Sequence, residues 1–292
     1  MAIQDGVTAE AAGEITIGGD LTVRRMGFGA MRLTGQGIWG EPPDPGGARA
    51  LLRRVVELGV TLIDTSDAYG PEVSERLIRE ALHPYPAGLV IATKGGLVRP
   101  GPGSWEPDGR PEHLRKACEN SLRRLRLDTI DLYQLHSPDR KVPFEESVGA
   151  LADLRAEGKI RQVGLSNVNT ELLARGREIV PVVSVQNRYS LTSRSSEDLL
   201  QACESDGLAF IPWFPIDAGA LASANGRLEE IAARHGATIA QLALAWLLHH
   251  SPVTVPIPGT SSVEHLEENV AAAAIRLSDD DIAALDELAA KD

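Results

Sequence analysis

The feature that most constrains this chain is a rhythm. From Met26 onward, short apolar runs alternate with longer segments of helical periodicity, eight times over. The runs are Met26–Ala30, Val60–Ile63, Leu89–Thr93, Ile130–Leu135, Ile160–Leu165, Val182–Val185, Leu208–Ile211 and Val253–Ile257. Most are continuously apolar rather than alternating, as strands are when both faces are covered. The helical segments are Gly46–Leu58, Glu72–Leu82, Pro111–Leu125, Phe144–Glu157, Thr170–Arg177, Ser195–Ser205, Ile239–His249 and Val263–Ala273. Eight strand–helix units predict an α/β fold closed as a single (β/α)8 TIM barrel, with a doubly wound open sheet as the alternative.

Some segments fall outside the rhythm. Ile15–Arg24 alternates around Gly18-Gly19-Asp20 and reads as an N-terminal β-hairpin. Two extra helices are predicted, over Leu228–His235 and over Asp279–Leu288, the latter with Ser278 as its N-cap. No linker or repeat divides the chain, so residues 1–292 are expected to form one domain. The segment Val98–Gly109, half proline and glycine, reads as a mobile loop over a site.

A formal net charge of -12 argues against nucleic acid or an anionic membrane as partner, because phosphate binding needs clustered Lys and Arg. The two cysteines, Cys118 and Cys203, lie in separate helical segments and have no metal-site spacing. No bound metal is expected. With no disulfide framework, no secretory leader in MAIQDGVTAE and no long apolar run, a cytoplasmic location is expected.

In barrels of this kind the chemistry gathers where the strands end. Here the strand ends carry Asp64, Lys94, His136, Ser166 with Asn167, Gln186 and, near the seventh strand, Trp213. Tyr69 follows Asp64 by five residues, a turn long enough to fold its ring back over the same mouth. A free phenol has a pKa of about 10, too high for easy proton transfer. A Lys94 ammonium beside it is expected to lower that value, with Asp64 holding Lys94 charged. His136 is placed to hydrogen-bond a carbonyl oxygen or to assist the proton transfer. These four make a proton donor for a carbonyl oxygen.

The segments LIDTSDAYG, IATKGG, DLYQLHSPD, VGLSN and VPIPGTSSVEHLEEN resemble the signature segments of the aldo-keto reductase family, in that family's order, from about Met26 to about Ala273. The resemblance implies a catalytic tetrad of Asp64, Tyr69, Lys94 and His136. It also implies a nicotinamide dinucleotide bound without a Rossmann fold. Gly29, Ala30 and Met31 would lie beside the nicotinamide, Ser166, Asn167 and Gln186 would bond its carboxamide, and Trp213 would stack on its ring. Gly259, Thr260, Ser261, Ser262, His265, Glu268 and Asn269 would face the adenosine end. Ser261 and Glu264 are expected to form a capping box at the helix there. The family's 2′-phosphate site often carries Arg or Lys, and this segment has neither; NADPH is expected, with NADH possible.

GFGAMRLTG and IDTSDAYGPEVSERLIREALHPY further resemble the bacterial pyridoxal reductase branch, which implies reduction of a small aldehyde, pyridoxal among them, to its alcohol. Trp39 and Trp105 are expected to wall the substrate pocket. Two other readings compete. A cofactor-sensing regulatory subunit would carry a partner-binding segment, and none is evident. A Schiff-base aldolase using Lys94 would leave the cofactor segments unexplained. The only expected partner is a small carbonyl substrate.

Overall fold

A computed structural model describes residues 6–217, 221 and 226–289. Residues 1–5, 218–220, 222–225 and 290–292 of the expected 1–292 domain lie outside them. Strands β1 (Glu14–Ile17) and β2 (Leu21–Arg24) pair antiparallel as the predicted hairpin, with Ile15 opposite Val23 and Ile17 opposite Leu21. The main sheet contains β3 (Phe28–Gly29), β4 (Leu62–Asp64) and β5 (Val90–Gly95). A small hairpin, β6 (Leu97–Val98) and β7 (Glu106–Pro107), follows. The sheet resumes with β8 (Ile130–Leu135), β9 (Ile160–Ser166), β10 (Val182–Gln186) and β11 (Ala209–Phe210). Its seven strands are parallel and ordered β11-β10-β9-β8-β5-β4-β3, which is chain order once the β6–β7 hairpin is set aside.

The expected eighth strand, Val253–Ile257, departs from regular form. It makes one parallel bridge, Thr254 to Phe210, yet it still closes the barrel. On one side the Phe210 N–H donates to Val253 O (2.9 Å) and the Val255 N–H to Phe210 O (2.8 Å). On the other, the Gly27 N–H donates to Pro256 O (3.0 Å) and the Gly29 N–H to Pro258 O (3.4 Å). Proline has no N–H to offer a ladder, so Pro256 and Pro258 can only accept. Gly29 is required at this seam, because a Cβ there would sit 2.6 Å from the Ile257 carbonyl oxygen.

Alternation along the strands layers the barrel interior. Val90, Ala92 and Lys94 share one face of β5. Leu132, Gln134 and His136 do the same along and just beyond β8. The lower positions, with Leu62, Ala209, Ile211 and Val255, form an apolar cluster with Ile17, Leu21 and Val23 of the N-terminal hairpin. The hairpin is therefore a plug at the N-terminal end. Burying each of its large aliphatic side chains contributes about 2 kcal/mol. The alternate, outward strand residues (Ile63, Ile91, Tyr133, Leu135, Val163, Leu165) join the larger cluster formed with the helices. Lower down, buried polar side chains are few, such as Gln162, which donates to Asp20 Oδ1 of the hairpin at 2.7 Å, and Ser184; the polar cluster gathers at the C-terminal ends of the strands.

The extra helices form at Gly226–Arg234 and Asp279–Ala289. Ser278 caps the second, accepting from the Asp281 N–H at 3.2 Å. No single helix among the described residues is long and apolar enough to cross a membrane.

Candidate active site

Asp64 closes β4, Lys94 lies near the end of β5, and His136 follows β8 directly. Between Asp64 and the helix Val73–Leu82 the chain makes a tight turn. The Glu72 N–H donates to Asp67 O (2.7 Å), the Tyr69 N–H donates to Ser66 O (3.2 Å), and Glu72 adopts a left-handed conformation (φ 67°). That turn folds Tyr69 back over the barrel mouth.

The four residues converge. Lys94 Nζ donates to Asp64 Oδ1 (2.6 Å), to Thr65 O (2.9 Å) and to Tyr69 Oη (3.4 Å), which uses all three ammonium protons. The second carboxylate oxygen of Asp64 accepts from Gln186 Nε2 (2.8 Å) and Gln134 Nε2 (3.2 Å). The Tyr69 and His136 rings meet edge-on, centroids 5.9 Å apart. Lys94 is fully buried, Asp64 is 2% exposed, Tyr69 6% and His136 8%.

Burial shapes the protonation of this group. It pushes the Tyr69 phenol above its ordinary value, and the Lys94 ammonium pulls back without reversing the shift. The sequence expectation of a lowered phenol is corrected: in a fully enclosed site desolvation outweighs one neighbouring cation that Asp64 already neutralises. Burial alone would discharge Lys94, but the Asp64 carboxylate and the Tyr69 oxygen together raise it, so it stays an ammonium. Burial, with Lys94 nearby, holds His136 well below the usual imidazole range, hence neutral.

Above these residues opens a cleft of about 700 Å³, a size suited to small ligands. Of the residues expected around the nicotinamide, Gly29, Met31, Ser166, Asn167, Gln186 and Trp213 line it, and Gly259 forms its edge. Ala30 is fully buried behind the wall. Asn167 holds a left-handed backbone (φ 59°), which asparagine tolerates. Its amide donates to the His136 carbonyl (2.9 Å), and its oxygen accepts from Trp213 Nε1 (3.2 Å), bracing that indole at the cleft.

Beyond Gly259, the residues Thr260, Ser261, Ser262, His265, Glu268 and Asn269 lie outside the lining of this cleft, along the start of the helix Val263–Ala271. The expected capping box does not form. Ser262, not Ser261, is the N-cap, accepting from the His265 N–H at 3.3 Å; His265 at the third helical position supplies no carboxylate, and the Ser262 N–H goes to Thr260 Oγ1 at 3.0 Å instead. Ser261 and His265 stay exposed. Exposed hydroxyls and a helix N-terminus suit a phosphate, and an aromatic wall with amide donors suits a nicotinamide; these donors fit a dinucleotide.

Of the two tryptophans expected to wall the pocket, only Trp105 lines it. Its ring meets Tyr69 and His136 edge-on, each at 6.3 Å. Trp39 stands behind, 5.7 Å from the Arg99 guanidinium, and Ile38 takes its place at the cleft. The segment read as a mobile loop is instead the β6–β7 hairpin, tied down by Arg99. That guanidinium donates to Ser104 O (2.7 Å), Ile38 O (2.9 Å), Ala68 O (3.1 Å) and Gly37 O (3.1 Å), and stacks 3.6 Å from the Trp105 ring centroid.

Sequence reasoning missed Gln134, Leu97, Arg32 and the run Phe214–Asp217 as parts of the site. Gln134 was findable, since it lies two residues before His136 and so faces the same way. Leu97 lies in the two-residue strand β6, Arg32 in a short 3-10 turn and Phe214–Asp217 in a loop, all too short to carry a periodicity.

A family model described as the aldo/keto reductase family matches residues 25–290. An uncharacterized oxidoreductase of Schizosaccharomyces pombe is 51% identical over 286 residues, spanning 98% of this chain and 93% of that one. A pyridoxine 4-dehydrogenase of Escherichia coli is 42% identical over 275 residues, spanning 92% and 96%. Among solved structures, an aldo-keto reductase from Klebsiella pneumoniae in complex with NADPH superposes with a TM-score of 0.79 at 32% identity, covering 94% of each chain. The glycerol dehydrogenase of Gluconobacter oxydans gives 0.86 at 28%, covering 96% of each.

Proposed function

The chain belongs to the aldo/keto reductase family, and from that premise we propose that it reduces pyridoxal or a similar flat aromatic aldehyde to the alcohol, with Tyr69 as proton donor. It is an oxidoreductase that uses NADPH. The observation that carries the reading is the convergence of Tyr69 Oη, Lys94 Nζ, the Asp64 carboxylate and the neutral His136 ring at the floor of one cleft.

Gly29, Met31, Asn167, Gln186 and Trp213 would hold the nicotinamide end, and the Gly259–Ser262 turn the phosphates. When bound, NADPH supplies a hydride to the carbonyl carbon. The rest is the work of this chain's own groups. Tyr69 Oη–H gives its proton to the carbonyl oxygen as negative charge develops there. Lys94, 3.4 Å from that phenol, stabilises the phenolate left behind, and Asp64 keeps Lys94 charged. The neutral His136 orients the oxygen without competing as an acid. Apolar walls at Ile38, Leu97, Trp105 and Phe214 exclude water and favour a planar ring. The two carboxamides on Asp64 Oδ2 fix the carboxylate so that its Oδ1 faces Lys94.

Following nicotinamide absorbance with pyridoxal and a panel of unrelated aldehydes tests this. Tyr69→Phe is expected to lower turnover by about 10²–10⁴ while cofactor binding, read by protein fluorescence, is unchanged. If wild type oxidises neither NADPH nor NADH with any aldehyde, the reading is wrong.

A further inference from the structure

The mechanism above leaves two polar side chains beneath His136 without a role. Ser66 Oγ lies 3.1 Å from His136 Nδ1, 3.1 Å from Asp67 Oδ1, and accepts from the Ala68 N–H at 3.1 Å. The other ring nitrogen, Nε2, has no partner among the described residues, on a side chain that lines the cleft. A neutral imidazole carries its proton on one nitrogen only, and the hydrogen bond at the other decides which.

We infer that Ser66 and Asp67 are positioning residues that set which nitrogen of His136 carries the ring proton, so that proton uptake at the Asp67 carboxyl turns Nε2 in the cleft from acceptor into donor. Two arrangements satisfy Ser66 Oγ, Asp67 Oδ1 and His136 Nδ1 together. With Asp67 ionised, the Ser66 hydroxyl donates to Asp67 Oδ1 and Ser66 Oγ accepts from both Ala68 N–H and His136 Nδ1–H; Nε2 is then a bare lone pair. With Asp67 protonated, its O–H donates to Ser66 Oγ, and the Ser66 hydroxyl donates to Nδ1; Nε2 then carries the proton. The two forms differ by one proton. It enters at Nε2, the Nδ1 proton passes to Ser66 Oγ, and the Ser66 proton passes to Asp67. Ser66 keeps one donor and two acceptors throughout, matching the capacity of a hydroxyl.

The surroundings of Asp67 put both forms within reach of neutral pH. Burial and the Glu75 carboxylate push its carboxyl up to about 7, against the Ser66 hydrogen bond and the more distant Arg124. Among the described residues Asp67 makes no ion pair. Arg124 is committed to Glu75 (2.9 Å) and Glu72 (3.3 Å), and Glu75 also accepts from Thr93 Oγ1 (2.6 Å). From the helix Val73–Leu82 the facing group is Glu75, from the helix Pro111–Leu125 it is Arg124, from β8 it is Tyr133, and from the turn itself Tyr69. Burial first, and then the Lys94 ammonium, keep the His136 ring from charging outright. The ring therefore changes tautomer rather than charge. Only the Nε2–H form can donate to a carbonyl oxygen, and only the bare form can accept from an alcohol. Low pH thus favours reduction and high pH the reverse; this consequence rests on the function proposed above, whereas the tautomer change does not.

The test is a long-range ¹H–¹⁵N correlation of His136 in the labelled full-length protein, from about pH 5.5 to about pH 8.5. Wild type is expected to pass from Nε2–H at low pH to Nδ1–H at high pH while staying neutral. In Asp67→Ala, Ser66 can donate only to Nδ1, so Nε2–H persists across the range. Ser66→Ala loses the pH step, and Ser66→Thr restores it. In kinetics, kcat for aldehyde reduction falls about tenfold through the same midpoint in wild type and is flat in Asp67→Ala. A single tautomer at both ends of the titration in wild type, or a step that survives in Asp67→Ala, overturns the inference. Turnover with no tautomer step sinks the switch and leaves the reductase; a step with no turnover does the opposite.

Discussion

Lys94→Met isolates what the buried ion pair contributes. Methionine matches the lysine stem in length, so packing changes little. What disappears is an ammonium with three hydrogen bonds, at 2.6, 2.9 and 3.4 Å. Asp64, 2% exposed, then keeps only the amides of Gln134 and Gln186 against its full negative charge, and the Thr65 carbonyl loses its buried donor. Removing one partner of a buried pair costs about 3–5 kcal/mol. At about 2–4 °C of Tm per kcal/mol, Lys94→Met is expected to melt about 6–20 °C lower. The cost should belong to the stranded charge, not to the missing lysine. Asp64→Asn in the same protein removes that charge and keeps both glutamine contacts, and is expected to recover about 2 kcal/mol. The measurement is urea unfolding followed by circular dichroism on wild type, both single variants and the double variant. A Lys94→Met protein within about 1 kcal/mol of wild type, or a double variant no more stable than Lys94→Met, would refute this account of the site.

Three further outcomes follow from the geometry. In Gly259→Ala the new Cβ would lie 2.5 Å from the Gly29 carbonyl oxygen, which cannot rotate away, so a stability loss of about 1–3 kcal/mol and weaker NADPH binding are expected by thermal melt and fluorescence titration. Arg99→Lys replaces a planar fork that reaches four carbonyls on three loops; loss of the Trp105 backing is expected to raise the aldehyde KM about tenfold with a smaller change in kcat. Burial opposes ionisation of Asp281, but hydrogen bonds from His235, Arg234 and Ser278 prevail and hold its carboxyl below the usual range. A depressed folded value means this stabilisation is present above the unfolded carboxylate pKa near 4 and is lost as pH falls toward the folded one, so Asp281→Asn should cost about 1–3 kcal/mol at pH 7 and progressively less in acid, read by urea melts.

What was legible in the sequence was what periodicity and strand ends can encode. The parallel order, the N-terminal hairpin and the placing of Asp64, Lys94 and His136 all follow from counting short apolar runs and asking where each stops. The structure departs from expectation where local chemistry competes with pattern. Val253–Ile257 has a strand's composition, but Pro256 and Pro258 deny it a ladder, and it closes the barrel as an accepting edge. Ser261 has the spacing for a capping box, yet the helix begins one residue later, with Ser262 as its cap and Thr260 holding the Ser262 N–H. Trp39 and Trp105 are equivalent on paper; only the Arg99 clamp, a long-range contact, decides which one faces the cleft. The Tyr69 phenol is raised rather than lowered because enclosure, which no spacing encodes, outweighs its charged neighbour. Ser66 looks like one more turn serine until the fold brings His136, seventy positions away, onto it.

The plug formed by Ile17, Leu21 and Val23 has a consequence for traffic. It seals the end of a barrel whose interior is already packed with side chains, so the cleft is a well with one doorway. Whatever lies across the bottom of a well must arrive before, and depart after, whatever rests on top of it. On the function proposed above, a dinucleotide across that floor enters before the aldehyde and leaves after the alcohol, an order set by the architecture rather than by either ligand's affinity.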